Sequence, residues 1–105
     1  MPILLTTIEP ARDRIFAEEF RKMPVGHHSP GLQRVLNLFR SGPLAGHYVL
    51  ISLIPYEKWQ LARLSGVRGQ APVPVEGAVY DDLRAAEWDV FRRRWLDATG
   101  EDLGH

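Results

Sequence analysis

The sequence of 105 residues contains no cysteine. Disulfide bonds, thiolate catalysis and cysteine-ligated zinc are therefore excluded. The sequence also lacks an apolar run long enough to cross a membrane, and its first residues lack the basic flank of a signal peptide. Neither sign of charge is in excess, because 13 acidic residues balance 13 basic residues. Non-specific nucleic-acid binding depends on basic residues that neutralise phosphates. We therefore expect a cytoplasmic protein with no membrane segment, and the balance of charge argues against a nucleic-acid partner.

The residues that are present are typical of a folded domain. Hydrophobic residues make up 45% of the chain and charged residues 25%, as in ordinary soluble proteins. A chain of this length can bury one core without disulfides or metal. We predict a single domain over residues 1–105, with an N-terminal helix within 1–26, a core at 28–96 and a frayed tail at 100–105.

The clearest local signal is a helix over residues 30–40. Ser29 can act as its N-cap by accepting from a free N–H of the first turn, and Pro30 suits the first helical position. Glycine and proline at positions 42 and 43 end the helix. Apolar residues recur at helical spacing on one face. They are Leu32, Val35, Leu36 and Phe39.

An earlier helix is predicted from Thr6 to Met23, opened by Pro10, because charged residues surround a weaker apolar face. That face comprises Ala11, Ile15, Phe16 and Phe20. A final helix, capped by Asp81 or Asp82, is predicted to reach about Thr99 and carries two apolar stripes. The first stripe is Leu83, Ala86 and Val90, and the second is Trp88, Phe91 and Trp95. The first would cover a sheet, and the second needs the central helix, the N-terminal helix or a partner chain.

Between these helices the period changes to that of strands. A run rich in β-branched residues at 48–54 predicts a strand covered on both faces, followed by a turn at 55–58 and a second strand at 59–64. Two prolines restrict residues 71–75 to an edge strand or extended segment. Residues 78–80 are predicted to form a short strand. The predicted fold is therefore α+β: two N-terminal helices, a three-stranded antiparallel meander, and a C-terminal helix packed on the sheet.

No catalytic or metal-binding constellation is predicted. His27 and His28 are adjacent, and adjacent histidines rarely ligate one ion, so His27 is expected to order the helix start by hydrogen bonding and His28 to be solvated. The adjacent carboxylates at 18–19 and 81–82 suit a solvated helix face and a helix N-terminus. The residues assigned to the helix start are His27, Ser29 and Pro30.

Residues 27–95 also carry a family resemblance. The segment resembles the small (alpha) subunit of N,N-dimethylformamidase, whose members have an HPSP-x-LQRV-x-N-x-FR run, a later P-x-x-G-x-Y and a late helix with Ala-x-x-x-Val-Phe. His28 stands here in place of the proline at the second position of the run. The matching residues are His27, Ser29, Pro30, 32–35, Asn37, Phe39, Arg40, Pro43, Gly46, Tyr48, Trp59, Ala86, Val90 and Phe91.

This resemblance implies a division of labour between two chains. In the family the larger subunit carries a mononuclear iron and hydrolyses the amide, while the small subunit supports the assembly. We therefore expect a non-catalytic interaction protein that binds no cofactor itself and whose partner is a larger catalytic subunit. The residues expected at the partner interface are Phe16, Phe20, Arg34, Arg40, Trp88 and Trp95.

Two alternatives stay open. The order of strand, Trp-bearing strand, short strand and helix is similar to AP2-type and integrase arm-binding domains, which read DNA with an exposed sheet face. In that case Trp59, Arg63 and Arg68 would contact DNA. The chain could instead be a stand-alone relative without activity that forms a homodimer through its tryptophan stripe.

Overall fold

A computed structural model describes residues 7–41 and 45–104. The elements in chain order are α1 (Pro10–Lys22), α2 (Pro30–Phe39), β1 (Tyr48–Ile54), β2 (Lys58–Arg63), β3 (Val73–Tyr80) and α3 (Leu83–Thr99). The strands form an antiparallel sheet in the order β1-β2-β3. The predicted α+β fold is confirmed. In the described ranges no helix is long and apolar enough to span a membrane.

The chain forms two compact units. The helical unit comprises Met1–Ser41 and Phe91–His105, and the sheet unit comprises Gly42–Val90. The first half of α3 belongs to the sheet unit and its second half to the helical unit. That residues 1–105 make a single domain stays a prediction.

Aromatic rings fill the core of the helical unit. Phe91 stacks on Phe20 of α1, with ring centroids 4.5 Å apart, and meets Phe39 of α2 edge-on at 5.2 Å. The ring of Trp95 lies 5.9 Å from that of Phe91, and both side chains are buried. Phe20 of α1 and Phe39 of α2 therefore cover Phe91, a member of the second apolar stripe of α3.

The buried face of α1 differs from the predicted one. Ile15 is 68% exposed, whereas Asp13 and Ala17 are fully buried and Phe20 nearly so. The spacing 13, 17, 20 is also helical, so the helix is turned relative to the predicted face. On this buried face Asp13 makes an ion pair with Arg34 of α2.

The core of the sheet unit lies between the sheet and the first half of α3. Tyr48, Leu61, Ala78 and Val90 form a buried cluster, flanked by Leu50 and other half-buried apolar residues. Val90 of the first apolar stripe therefore packs on the sheet, as predicted. The prediction that both faces of β1 are covered is wrong for the second half of the strand, because residues 52–54 are exposed.

Residues 73–80 form one continuous edge strand. Of the two forms predicted for residues 71–75, the edge strand is the one observed from residue 73 onward, and it is not separated from residues 78–80. Its register against β2 jumps between the pairs Gln60↔Val79 and Ala62↔Pro74, and backbone groups in such a bulge lose their ladder partners. The side-chain amide of Gln60 supplies donors there, at 2.8 Å from the Leu61 carbonyl oxygen, 2.9 Å from that of Val75 and 3.3 Å from that of Ala78.

We expect Gln60→Leu to lower the free energy of unfolding by about 1–3 kcal/mol, because half-buried carbonyl groups lose their donors. Urea denaturation followed by circular dichroism measures the change. Gln33→Leu is the matched control, since the amide of Gln33 donates at an exposed position to the His28 carbonyl oxygen and water can replace it. Equal effects of the two substitutions would contradict the role given to Gln60.

Candidate functional site

A buried carboxylate joins α1 to α2. Asp13 is fully buried, and Arg12 donates to its two oxygens from Nη2 at 2.9 Å and from Nε at 3.2 Å. Arg34 of α2 donates to Asp13 Oδ1, and the backbone N–H of Glu9 donates to Oδ2 at 3.0 Å. We call Glu9, Arg12, Asp13 and Arg34 the ionic cluster.

The ionic cluster holds Asp13 in its charged form. Burial by itself would raise the pKa of Asp13, but the hydrogen bonds from Arg12, the Glu9 N–H and Arg34 outweigh it and leave the pKa below its ordinary value. The hydrogen bond to Asp13 in turn raises the pKa of Arg12. A carboxylate so completely engaged is a poor general base, so the cluster is a structural joint between helices.

A second joint lies at the start of α2. The hydroxyl of Ser29 donates to Glu19 Oε1 at 2.5 Å, and its backbone N–H donates to Oε2 at 2.7 Å. The same hydroxyl accepts from the Leu32 N–H at 3.2 Å, so the predicted N-cap is confirmed. The hydrogen bonds from the hydroxyl and N–H of Ser29 lower the pKa of Glu19. Thus α1 anchors the cap of α2.

The histidines at this position exchange their predicted roles. Nε2 of His28 lies 3.2 Å from the Met23 carbonyl oxygen, and its ring lies 5.5 Å from that of Phe20. His27 is exposed. Pro30 begins α2 as expected. The contacts that order the helix start therefore lie on Ser29 and His28.

Because of these two joints, the free energy of unfolding depends on pH in the acid range. The folded-state pKa values of Glu19 and Asp13 are depressed, so their stabilising contribution is present above their ordinary values of 4.5 and 3.8 and is lost as the pH falls below them. We expect the free energy of unfolding to fall as the pH is lowered from 5 toward 2.5, measured by urea titration at each pH.

Glu19→Gln should lower the free energy of unfolding at pH 7 by about 1–2 kcal/mol, because charged hydrogen bonds become neutral, and should flatten the acid limb of the curve. Glu18→Gln is the matched control, since Glu18 is exposed. An acid limb with the same slope in both variants would contradict the assignment.

The predicted interface residues lie in different environments. Phe20 and Trp95 are core residues of the helical unit, so a partner could reach them only if that core opened. Phe16 is half-buried, and its ring fills the space beside Gly31 that a Cβ atom there would need. Arg34 belongs to the ionic cluster, and Arg40 is exposed. Trp88 is half-buried within the sheet unit.

The residues of the DNA-binding alternative do not share an open sheet face. Successive side chains of a strand point to opposite faces, so one face of β2 carries Trp59, Leu61 and Arg63. Leu61 packs with Val90 of α3 in the sheet core. The guanidinium of Arg63 lies 4.5 Å from the ring centroid of Tyr48, and its Nε donates to the Gly46 carbonyl oxygen at 3.2 Å. Arg68 is exposed in the loop after β2. The face proposed for DNA is therefore the face that α3 packs against.

The described residues bring together no set of side chains that could ligate a metal ion. A cavity of about 310 Å³ in the loop after β2 has one charged side chain in its lining, that of Arg68. Across residues 7–41 and 45–104, no three His, Asp or Glu side chains cluster so that they could hold a metal ion. The carboxylates of Asp13 and Glu19, which could serve as metal ligands, already accept hydrogen bonds in the two helix joints.

Comparison with known families assigns the chain. The sequence profile of the N,N-dimethylformamidase alpha subunit matches residues 4–103. The chain belongs to that alpha subunit family. The match confirms the resemblance and extends it beyond residues 27–95, to the N-terminal helix and to the end of the C-terminal helix. A search of individual curated proteins found no match. The helix joints, the aromatic core and the sheet are thus features of one member of that family.

Proposed function

We propose that this alpha subunit is a non-catalytic component of an amide-hydrolysing complex, and that a larger chain carries the catalytic site. The observation that supports this most is the family match over residues 4–103. The family is named as a subunit of an amide hydrolase, and we expect a chain of such a family to act together with another chain.

The chemistry of the side chains supports the same division. Hydrolysis of an amide needs an activated nucleophile and stabilisation of the developing oxyanion. In the described part of this chain, the carboxylates of Asp13 and Glu19 are saturated by arginine and serine donors. The donor set of the described residues does not fit an iron ion, since no three ligating side chains come together there. We therefore assign any iron in the complex to the larger chain.

Activity measured on separated chains tests the proposal. The probe is N,N-dimethylformamide, and the products are formate and dimethylamine, quantified by NMR. We expect no turnover by the purified alpha subunit with or without added iron, and turnover by the complex isolated from the native host. Turnover by the alpha subunit alone would contradict the proposal.

A further inference from the structure

The chain turns back on itself at the end of α3. Gly100 has a φ of +78°, the left-handed conformation that glycine adopts readily after the last turn of a helix. The hydroxyl of Thr99 donates to the Trp95 carbonyl oxygen at 2.7 Å and accepts from the Glu101 N–H at 3.0 Å. The segment after α3 therefore leaves the helix in a defined direction. We call residues 100–104 the α3 strap.

Glu101 holds the start of the α3 strap between two helices. Its Oε1 accepts from the indole Nε1–H of Trp95 at 3.3 Å, and its Oε2 accepts from the guanidinium of Arg14 in α1. Trp95 is fully buried, whereas the side chains of Arg14 and Glu101 are 57% and 29% exposed. One carboxylate therefore links the polar edge of a core ring to a cation that faces solvent.

An arginine of α3 holds the far end of the strap. Nη1 of Arg92 donates to the Gly104 carbonyl oxygen at 2.6 Å and lies 3.9 Å from Asp102 Oδ1. The same oxygen of Asp102 accepts from the Gly104 N–H at 2.8 Å, which closes a turn within the strap. Charged side chains therefore attach the α3 strap to the helices at both of its ends.

The strap is held less firmly than the core that it covers. None of residues 100–104 is buried, whereas Trp95 and Phe91 beneath them are. Ion pairs near the surface contribute little and are screened by salt, because the Debye length falls from about 10 Å at about 0.1 M to about 3 Å at about 1 M. Segments with few buried apolar contacts open at a lower free energy than the elements beneath them. The strap is therefore expected to open before the helices unfold.

We propose that the α3 strap is a salt-sensitive latch on the aromatic core of the helical unit. In the closed form Glu101 bridges Trp95 and Arg14, and Arg92 holds the far end of the strap. In the open form α1, α2 and α3 stay folded, and the indole N–H of Trp95 meets solvent. The latch is a property of the isolated chain and does not depend on the proposed function. It gives access to Trp95 without unfolding of the helices.

Hydrogen exchange of the wild-type chain, followed by NMR, tests the latch without any variant. We expect protection factors at least about tenfold lower for the Glu101 and Gly104 amides and the Trp95 indole N–H than for the backbone amides of Phe91 and Trp95. Raising the salt from about 0.1 M to about 1 M should lower the strap values about two- to fivefold more and leave those of α3 unchanged. Equal protection of strap and helix, no effect of salt on the strap, or an equal effect on both would overturn the inference.

A matched pair of variants provides the second test. Glu101→Gln keeps an oxygen that can accept from the Trp95 indole N–H and removes the charge that pairs with Arg14. At low salt we expect it to lower the protection of the indole N–H and the Gly104 amide about two- to fivefold, and to reduce the effect of salt on both. Glu76→Gln, which removes an exposed carboxylate of the sheet unit, should leave both unchanged. Wild-type protection in a folded Glu101→Gln variant would overturn the inference.

Discussion

Asp13→Ala is expected to lower the free energy of unfolding by about 3–5 kcal/mol, because removing one partner of a buried ion pair leaves the other charge uncompensated. The side chain of Arg34 is only 23% exposed and would lose its acceptor. The substitution also removes the acceptor of the Glu9 N–H at the start of α1. Urea denaturation at pH 7, followed by circular dichroism, measures the loss.

Two controls separate pairing from packing in the ionic cluster. Glu9→Ala removes a carboxylate that lies 3.8 Å from Arg12 and is 63% exposed, so its effect should be below about 1 kcal/mol. The double variant Asp13→Leu with Arg34→Met should lose less stability than the two single variants added together, because removing Arg34 together with its acceptor leaves no unpaired charge at position 34. A loss below about 1 kcal/mol for Asp13→Ala, or additive effects in the double variant, would contradict the claim that Asp13 and Arg34 join α1 to α2.

Trp95→Ala is expected to cost about 3–5 kcal/mol of unfolding free energy, as for other large aromatic truncations in cores. Trp95 is fully buried, its ring lies 5.9 Å from that of Phe91, and its Nε1 donates to Glu101 Oε1 at 3.3 Å. Glu101, which lies where a frayed tail is predicted, thus contacts the core, and it also pairs with Arg14. Thermal and urea unfolding of the isolated chain measure the effect.

Trp88→Ala is the matched control for Trp95→Ala. Trp88 lies in the same helix and is only half-buried, so its truncation should remove less packing and cost less stability. Trp95→Phe should recover much of the loss by refilling the cavity. If Trp95→Ala weakened partner binding while leaving the isolated chain as stable as wild type, Trp95 would be an interface residue, as the sequence pattern allows.

Local chemistry explains which parts of the fold are predictable. The N-cap at Ser29 and the first turn at Pro30 depend on neighbouring residues, so spacing rules identify α2 almost to the residue. The bounds of β1 are likewise correct, because β-branched residues and a following proline mark them. The two stripes of α3 correctly indicate that one helix packs in two places.

Long-range pairing explains what was missed. Asp13 and Arg34 are 21 positions apart, and charge on a helix usually indicates solvent, so the sequence rules place Asp13 on the exposed face. The spacing of Asp13 with Ala17 and Phe20 is the signal that could have identified the buried face. The bulge filled by Gln60 depends on strand register, which periodicity does not specify.

The candidate interface divides in the same way. Trp and Arg are enriched at interfaces, and on that basis Trp95 and Arg34 are predicted to contact a partner. In the structure Trp95 lies in the core of the helical unit, and Arg34 pairs with Asp13 between α1 and α2. Leucine and isoleucine at 53 and 54 look like core residues in the sequence, and their exposure is a property of the sheet.

Native mass spectrometry of the affinity-purified alpha subunit tests the central claim most directly. The tagged chain is isolated from its native host at moderate salt, and the intact species is weighed and its metal content determined. We predict a stoichiometric complex of this chain of 11.9 kDa with a larger chain, with iron retained by the larger chain after the two are separated. An alpha subunit that is recovered alone, or that keeps the iron and the amide-hydrolysing activity after separation, would contradict the account.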